Sequence, residues 1–144
     1  MNCIIENSMN NQRTQPKSSY IFDADWQDLY LLTAHWKSDL LFYKDDLEFL
    51  HDLLGKYIKL KTNDKKFFKT IQNTSIETTF QCSNLLKKMN KHLVDLAAII
   101  IHPENYDSHK FRTKHQQLED AISNFENTLR THRKKVFEAT KIPN

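Results

Sequence analysis

Apolar side chains recur at alternating spacings of three and four residues through most of this 144-residue chain. That spacing places them along one stripe of an α-helix, because four residues exceed one helical turn slightly and three fall just short of it. A heptad repeat sustained in this way favours long helices that pack side by side with a gentle left-handed supercoil. The pattern occurs in three runs, at residues 26–57, 68–99 and 111–139.

Residues that favour turns are scarce. The chain has 1 Gly and 3 Pro, whereas ordinary chains contain roughly 7% Gly and 5% Pro. Sheets with many reversals need those residues at their turns, so an all-β or α/β fold is disfavoured. The composition and the periodicity therefore agree on an all-α protein.

Local signals divide the chain into three long helices. Asp23 or Asp25 can cap the first helix, and Thr62–Asp64 separates it from the second. His102-Pro103 ends the second, because proline disfavours helical geometry in the residue before it. Both connections are short, which predicts an antiparallel up-down-up three-helix bundle over residues 20–141. The predicted helices span about 24–61, 65–101 and 105–140.

The first 19 residues form a separate region. They are rich in Asn, Gln and Ser and show no apolar period, so a disordered tail is predicted. They also lack the basic and apolar segments of a signal peptide, and no run approaches the ~20 apolar residues of a membrane-spanning helix. The expected location is the cytoplasm. Two cysteines, Cys3 and Cys82, make no disulfide framework.

The segment Trp36–Leu50, read with the helices that follow it, resembles small bacterial helical-bundle proteins of coiled-coil type. The resemblance covers residues from about 26 to 140. It implies an all-α bundle and brings with it no activity and no site residues.

Several apolar residues lie outside the predicted helix seams, and four of them are candidates for an interface. Two accounts of them are open. In one, the first two helices form a wide core, the third closes it, and Tyr20–Phe22 folds over the apolar end of the second helix. In the other, the four form a patch that is buried against a second chain, most simply in a homodimer. The predicted interface residues are Phe42, Phe49, Ile76 and Phe80.

Two further expectations concern individual helices. The end of the second helix, Leu93–Ile101, has Asp95 as its only charge and is expected to be covered on nearly every side. The third helix has a narrow apolar stripe, and its flanks are expected to be solvated. One flank carries Arg112, Glu119, Glu126 and Arg133, and the other carries Lys114 and Lys135.

Charge is unevenly distributed along the chain. Residues 23–52 carry a formal charge of −6, whereas residues 53–144 carry +8. In the predicted topology the end of the first helix, the start of the second and the end of the third meet at one basic pole. Clustered Lys and Arg attract polyanions, so nucleic acid, an anionic lipid surface or an acidic partner is the alternative ligand. This pole is centred on Lys59, Lys65, Lys66, Arg133 and Lys134.

Seven histidines raise the third alternative, a metal-binding bundle. The only Glu-x-x-His pair is Glu48 with His51, and a ferritin-like site needs two. Three other histidines fall at similar heights in the predicted bundle, and these weak candidates are His35, His92 and His115.

Catalysis is not indicated. Cys82 lies on the seam as a small core thiol, with no base beside it. The sequence therefore predicts a non-enzymatic interaction protein with no cofactor and no small-molecule substrate.

Overall fold

The computed structural model of the protein describes residues 19–60 and 65–141. No strand occurs among these residues, so the all-α prediction is confirmed. Residues 1–18 of the predicted tail (1–19) and the predicted turn at Thr62–Asp64 lie outside them, whereas Ser19 begins a helix. The elements are α1 (Ser19–Asp23), α2 (Trp26–Leu60), α3 (Lys65–Ile101), a 3₁₀ turn (Pro103–Asn105) and α4 (Ser108–Ala139).

Contacts between the long helices give their directions. The thiol of Cys82 on α3 lies 3.4 Å from the carbonyl oxygen of Leu40 on α2, and the rings of Tyr57 and Phe68 are 5.6 Å apart. Residue numbers rise along α2 as they fall along α3, so these two helices are antiparallel. Tyr43 on α2 contacts Glu126 on α4, and Tyr57 contacts Lys141 beyond the end of α4, so α2 and α4 run parallel. The up-down-up three-helix bundle is confirmed.

Two helix starts differ from the prediction by two or three residues. Helix α2 begins at Trp26, after Asp25, whose carbonyl accepts a hydrogen bond from the backbone N–H of Leu29. Helix α4 begins at Ser108 because the preceding residues form the 3₁₀ turn instead. Asp107 sits at the N-cap of α4, and its Oδ1 accepts a hydrogen bond from the Lys110 backbone N–H at 3.0 Å.

The described residues form two compact units. The first unit comprises residues 19–37 and 87–123, and the second comprises residues 38–60, 65–86 and 124–141. Each unit has its own core from the same three long helices. In the first unit the fully buried apolar side chains include Leu29, Met89, Leu96 and Ile99. In the second unit they include Leu40, Leu47, Leu50 and Leu54.

The short helix α1 was not predicted. Ile21 and Ala24 are buried in the first unit, and Ala24 packs with Leu29 and Leu96. Arg112 on α4 holds this segment: its Nη1 donates hydrogen bonds to the carbonyl oxygens of Ile21 and Ala24. Helix α1 therefore depends on tertiary contacts, which a short isolated helix needs.

The prediction of solvated α4 flanks is confirmed for Lys114 and Lys135, which are exposed, and is wrong for the flank that carries Arg112, Glu126 and Arg133. Arg112 is buried, and its guanidinium lies 4.0 Å from the centre of the Trp26 ring. Glu126 accepts a hydrogen bond from the Tyr43 hydroxyl, and Arg133 pairs with Asp46. This flank is packed rather than solvated because polar groups on neighbouring elements form hydrogen bonds or ion pairs with its charged side chains.

The expectation that the end of α3 is covered on nearly every side is also wrong. Leu96 and Ile99 are fully buried, but Val94 and Ile101 are 68% and 69% exposed. One side of this apolar segment therefore faces outward.

Candidate interaction surface

The four predicted interface residues are all exposed, and all belong to the second unit. Phe42 and Phe49 on α2 are 65% and 56% exposed, and Ile76 and Phe80 on α3 are 59% and 65% exposed. Buried neighbours on the same helices, such as Leu40 and Cys82, supply the core. The four are therefore not used for packing within the described chain.

Helical spacing groups the four residues into two pairs. Phe42 and Phe49 are seven residues apart, so they lie on one face of α2, about 10 Å from each other along the axis. Ile76 and Phe80 are four residues apart and are neighbours on α3. Each pair presents a short apolar ridge.

A groove between α2 and α3 reaches Ile76. Its volume is about 440 Å³, and Ile76 and Thr79 line it from α3. The α2 side supplies Leu47, Glu48, His51 and Asp52. Phe42, Phe49 and Phe80 do not line this groove. The structure thus places Ile76 beside polar α2 side chains and leaves the other three residues on the surrounding surface.

Tyr43 of α2 connects the α2 ridge, formed by Phe42 and Phe49, to helix α4. The Tyr43 ring lies 6.2 Å from the rings of both Phe42 and Phe125. Its hydroxyl donates a hydrogen bond to Glu126 Oε2 at 2.5 Å. Burial raises the pKa of the Tyr43 hydroxyl, and the hydrogen bond and negative charge of Glu126 raise it further. The Tyr43 hydroxyl therefore stays protonated at neutral pH and keeps its hydrogen bond to Glu126, which holds the Tyr43 ring beside Phe42.

Charges on either side of the α2 ridge are of opposite sign. Asp45, Glu48 and Asp52 on α2 are exposed near Phe42 and Phe49. On α4, Arg130 and Lys134 are exposed beside Arg133, whose guanidinium pairs with Asp46 of α2. The surface is thus acidic along α2 and basic along α4. Neither the groove nor the Asp46–Arg133 pair was predicted. The charge pattern of the sequence did predict an acidic α2 and a basic end of α4.

The basic pole also comes together in the second unit. Lys59, Lys65, Lys66 and Lys134 are exposed, whereas Arg133 is partly buried in its ion pair with Asp46. The structure adds two aromatic side chains that sequence reasoning missed there. They are Phe67 at 49% exposure and Phe137 at 48%.

Two of the three candidate metal-binding histidines meet in the first unit. His92 Nε2 and His115 Nδ1 are 3.0 Å apart, and both side chains are buried. The His92 ring stacks on Phe111 with centroids 4.5 Å apart, and His115 lies against Trp36 at 4.9 Å. Burial lowers the pKa of His92 to about 4 and that of His115 to about 3. The pair is therefore uncharged at neutral pH.

The third candidate, His35, is exposed on α2. Among residues 19–60 and 65–141, no group of three or more His, Cys, Asp or Glu side chains is arranged to hold a metal ion. The geometry gives the metal-binding alternative no support in this region. His92 and His115 act there as packed aromatic core residues that share one hydrogen bond.

Cys82 is a buried core thiol, as expected. It is fully buried, and burial raises the pKa of its thiol to about 11. A thiol that stays protonated at neutral pH is a poor nucleophile.

Comparison of the chain with protein-family models, curated proteins and solved structures finds no match. Within the described part of the chain, no helix combines the length and the apolar character needed to cross a membrane.

Proposed function

We propose that this protein acts by protein–protein contact and that, of the exposed residues Phe42, Phe49, Ile76 and Phe80, the α2 pair Phe42 and Phe49 packs against a second copy of the chain. The observation that carries the proposal is the exposure of these four large apolar side chains, each at least 56% exposed on a long regular helix. Large apolar patches on soluble domains mark contact sites. Aromatic anchors of this kind contribute most of the energy in many interfaces.

The charges favour a second copy as the partner. In a two-fold dimer, a residue that contacts a position on the partner is contacted in turn by its own counterpart. The acidic α2 surface of one copy then faces the basic α4 flank of the other. Asp45 and Asp52 meet Arg130 and Lys134 in both directions, and Phe42 and Phe49 are buried between them. Placing α2 directly on α2 instead would oppose like charges, which is unfavourable.

Light scattering coupled to size exclusion tests the proposal. The parent chain is expected to elute with twice the mass of one chain. The variant Phe42→Ser/Phe49→Ser is expected to be a monomer with unchanged helical circular dichroism, because both side chains are exposed. The matched control Val94→Ser/Ile101→Ser removes two exposed apolar side chains elsewhere and is expected to remain a dimer.

Two outcomes would overturn the proposal. One is a parent chain that remains monomeric at high protein concentration. The other is a dimer that survives the double Phe substitution as well as the control does. A charge test refines the geometry: Arg130→Glu/Lys134→Glu should weaken the dimer, and adding Asp45→Lys/Asp52→Lys should restore it.

A further inference from the structure

The basic pole is a second surface, which overlaps the proposed dimer contact at Arg130 and Lys134 on α4 and extends from there over the ends of α2 and α3. Tyr57 near the end of α2 brings three helix ends together. Its ring lies 5.6 Å from that of Phe68 near the start of α3, and its hydroxyl donates a hydrogen bond at 3.1 Å to the Lys141 carbonyl just beyond α4. Side chains from these three helix ends therefore share one end of the second unit.

The charge at this end is high and of one sign. Residues 56–69 and 130–141 contain eleven Lys or Arg and two acids in the sequence. Without Lys61 and Asp64, which lie outside the described residues, ten cations and one acid leave a formal charge of +9. Lys59, Lys65, Lys66 and Lys134 are among those that are exposed. Of the described cations here, Arg133 has an acidic partner, Asp46, at hydrogen-bond distance. Such an excess of positive charge attracts an anionic surface.

Two half-exposed aromatic side chains lie among these lysines. Phe67 is 49% exposed between Lys66 and Lys69, and its ring is 5.5 Å from that of buried Phe68. Phe137 is 48% exposed two residues after Lys135. Each ring is carried by a helix and is about half exposed. Basic residues combined with outward aromatic groups are typical of surfaces that enter the headgroup region of a bilayer.

The details favour a bilayer over nucleic acid. Nine of the eleven cations are lysines, whose ammonium groups on flexible stems are drawn to a diffuse anionic field, whereas Arg predominates where phosphates and bases are recognised bidentately. Helices α2 and α4 end here and α3 begins here, so carbonyl ends and an N–H end both face this surface, and the helix dipoles do not by themselves select a phosphate ligand. The interactions open to this end of the unit are long-range electrostatic attraction by its lysines and shallow insertion of its two exposed aromatic rings.

We propose that the basic pole docks on a membrane surface containing anionic phospholipids, with Phe67 and Phe137 entering the headgroup region. Long-range attraction by the lysines brings the pole to the surface, and the two rings add an apolar contribution that salt does not screen.

Vesicle sedimentation tests this proposal. The full chain is mixed with phosphatidylcholine vesicles or with vesicles that also contain phosphatidylserine, at low and at physiological salt. Binding is expected only to the serine-containing vesicles. Each Lys near such a surface contributes about 1 kcal/mol, so Lys65→Gln/Lys66→Gln is expected to weaken binding by roughly 30-fold. The matched control Lys87→Gln/Lys88→Gln removes two exposed lysines of α3 outside the pole and should bind within about twofold of the parent.

The aromatic contribution is tested separately. Phe137→Ser is expected to reduce binding to serine-containing vesicles by roughly tenfold, and the reduction should persist at physiological salt. Circular dichroism of each variant shows that the helices are retained.

Three results would overturn the proposal. They are equal binding to both kinds of vesicle, no binding to either, and an equal loss in the Lys87→Gln/Lys88→Gln control. Fluorescence anisotropy with single-stranded and duplex oligonucleotides provides the competing measurement. Oligonucleotide binding at a salt concentration where vesicle binding is absent would assign the pole to nucleic acid instead.

Discussion

The buried His92–His115 pair makes the stability of the first unit sensitive to acid. The folded pKa values are about 4 for His92 and about 3 for His115, whereas an unfolded histidine has a pKa of about 6.5. As pH falls below the unfolded value, the unfolded state takes up protons that the folded state does not. Stability from this pair is therefore complete above the unfolded pKa and is lost as pH falls toward the folded values.

The size of the effect follows from those values. At about pH 5 each of the two histidines is almost fully protonated in the unfolded state and mostly neutral in the folded state. This difference lowers the free energy of unfolding by about 2 kcal/mol per histidine between about pH 7.5 and about pH 5. The pair together lowers the free energy of unfolding by about 4 kcal/mol, a large part of the 5–15 kcal/mol typical of a domain.

Urea unfolding at the two pH values measures this change. Carboxylates also titrate in this range, so the decisive quantity is the difference between the parent chain and His92→Leu/His115→Leu. Replacing both hydrogen-bonding partners by apolar groups of similar size avoids an orphaned ring nitrogen. The variant is expected to lose about 4 kcal/mol less than the parent between about pH 7.5 and about pH 5.

A matched control shortens a buried leucine of the same unit and changes no ionisable group. Leu96→Ala is expected to lower the free energy of unfolding by a similar amount at both pH values, so its pH dependence should equal that of the parent. If the parent and the double Leu variant lost the same free energy on acidification, the pair would not be the source of the acid sensitivity, and the burial argument would be refuted.

Three further predictions follow from other buried groups. Arg112→Met removes both hydrogen bonds to the Ile21 and Ala24 carbonyls and should lower the free energy of unfolding by about 2–3 kcal/mol, with faster amide exchange in α1; unchanged exchange there would contradict the contact. Leu50→Ala, at a fully buried site, should cost about 2–5 kcal/mol in urea unfolding, and a cost below about 1 kcal/mol would show that the site is not packed. Cys82 should react with a thiol reagent slowly in the folded protein and rapidly in urea, so equal rates would show an accessible thiol.

Helices and their outward faces could be predicted because they depend on local spacing. The heptad pattern gave three long helices whose ends agree with the structure to within about three residues. The same pattern left Phe42 and Phe49 off the seam, and both are exposed. A side chain's position on a helix follows from its residue number alone, so one sequence is sufficient for this step.

Contacts between helices could not be predicted in the same way. Arg112 and Arg133 occupy equivalent heptad positions, yet Arg112 is buried on the carbonyls of α1 and Arg133 pairs with Asp46 at the surface of α2. Which partner a long polar side chain reaches depends on the neighbouring helix and its axial offset, and neither is encoded in the spacing of one helix.

The amino-acid sequence by itself determined the all-α class, the number of long helices, their alternating directions and the concentration of positive charge at one pole, since each follows from local periodicity, turn composition and connection length. Tertiary structure alone decided that α1 forms, that His92 meets His115, and that Tyr57 joins three helix ends. Those features depend on atoms far apart in the chain reaching hydrogen-bond or ring-contact distance, and only the packed helices place them there.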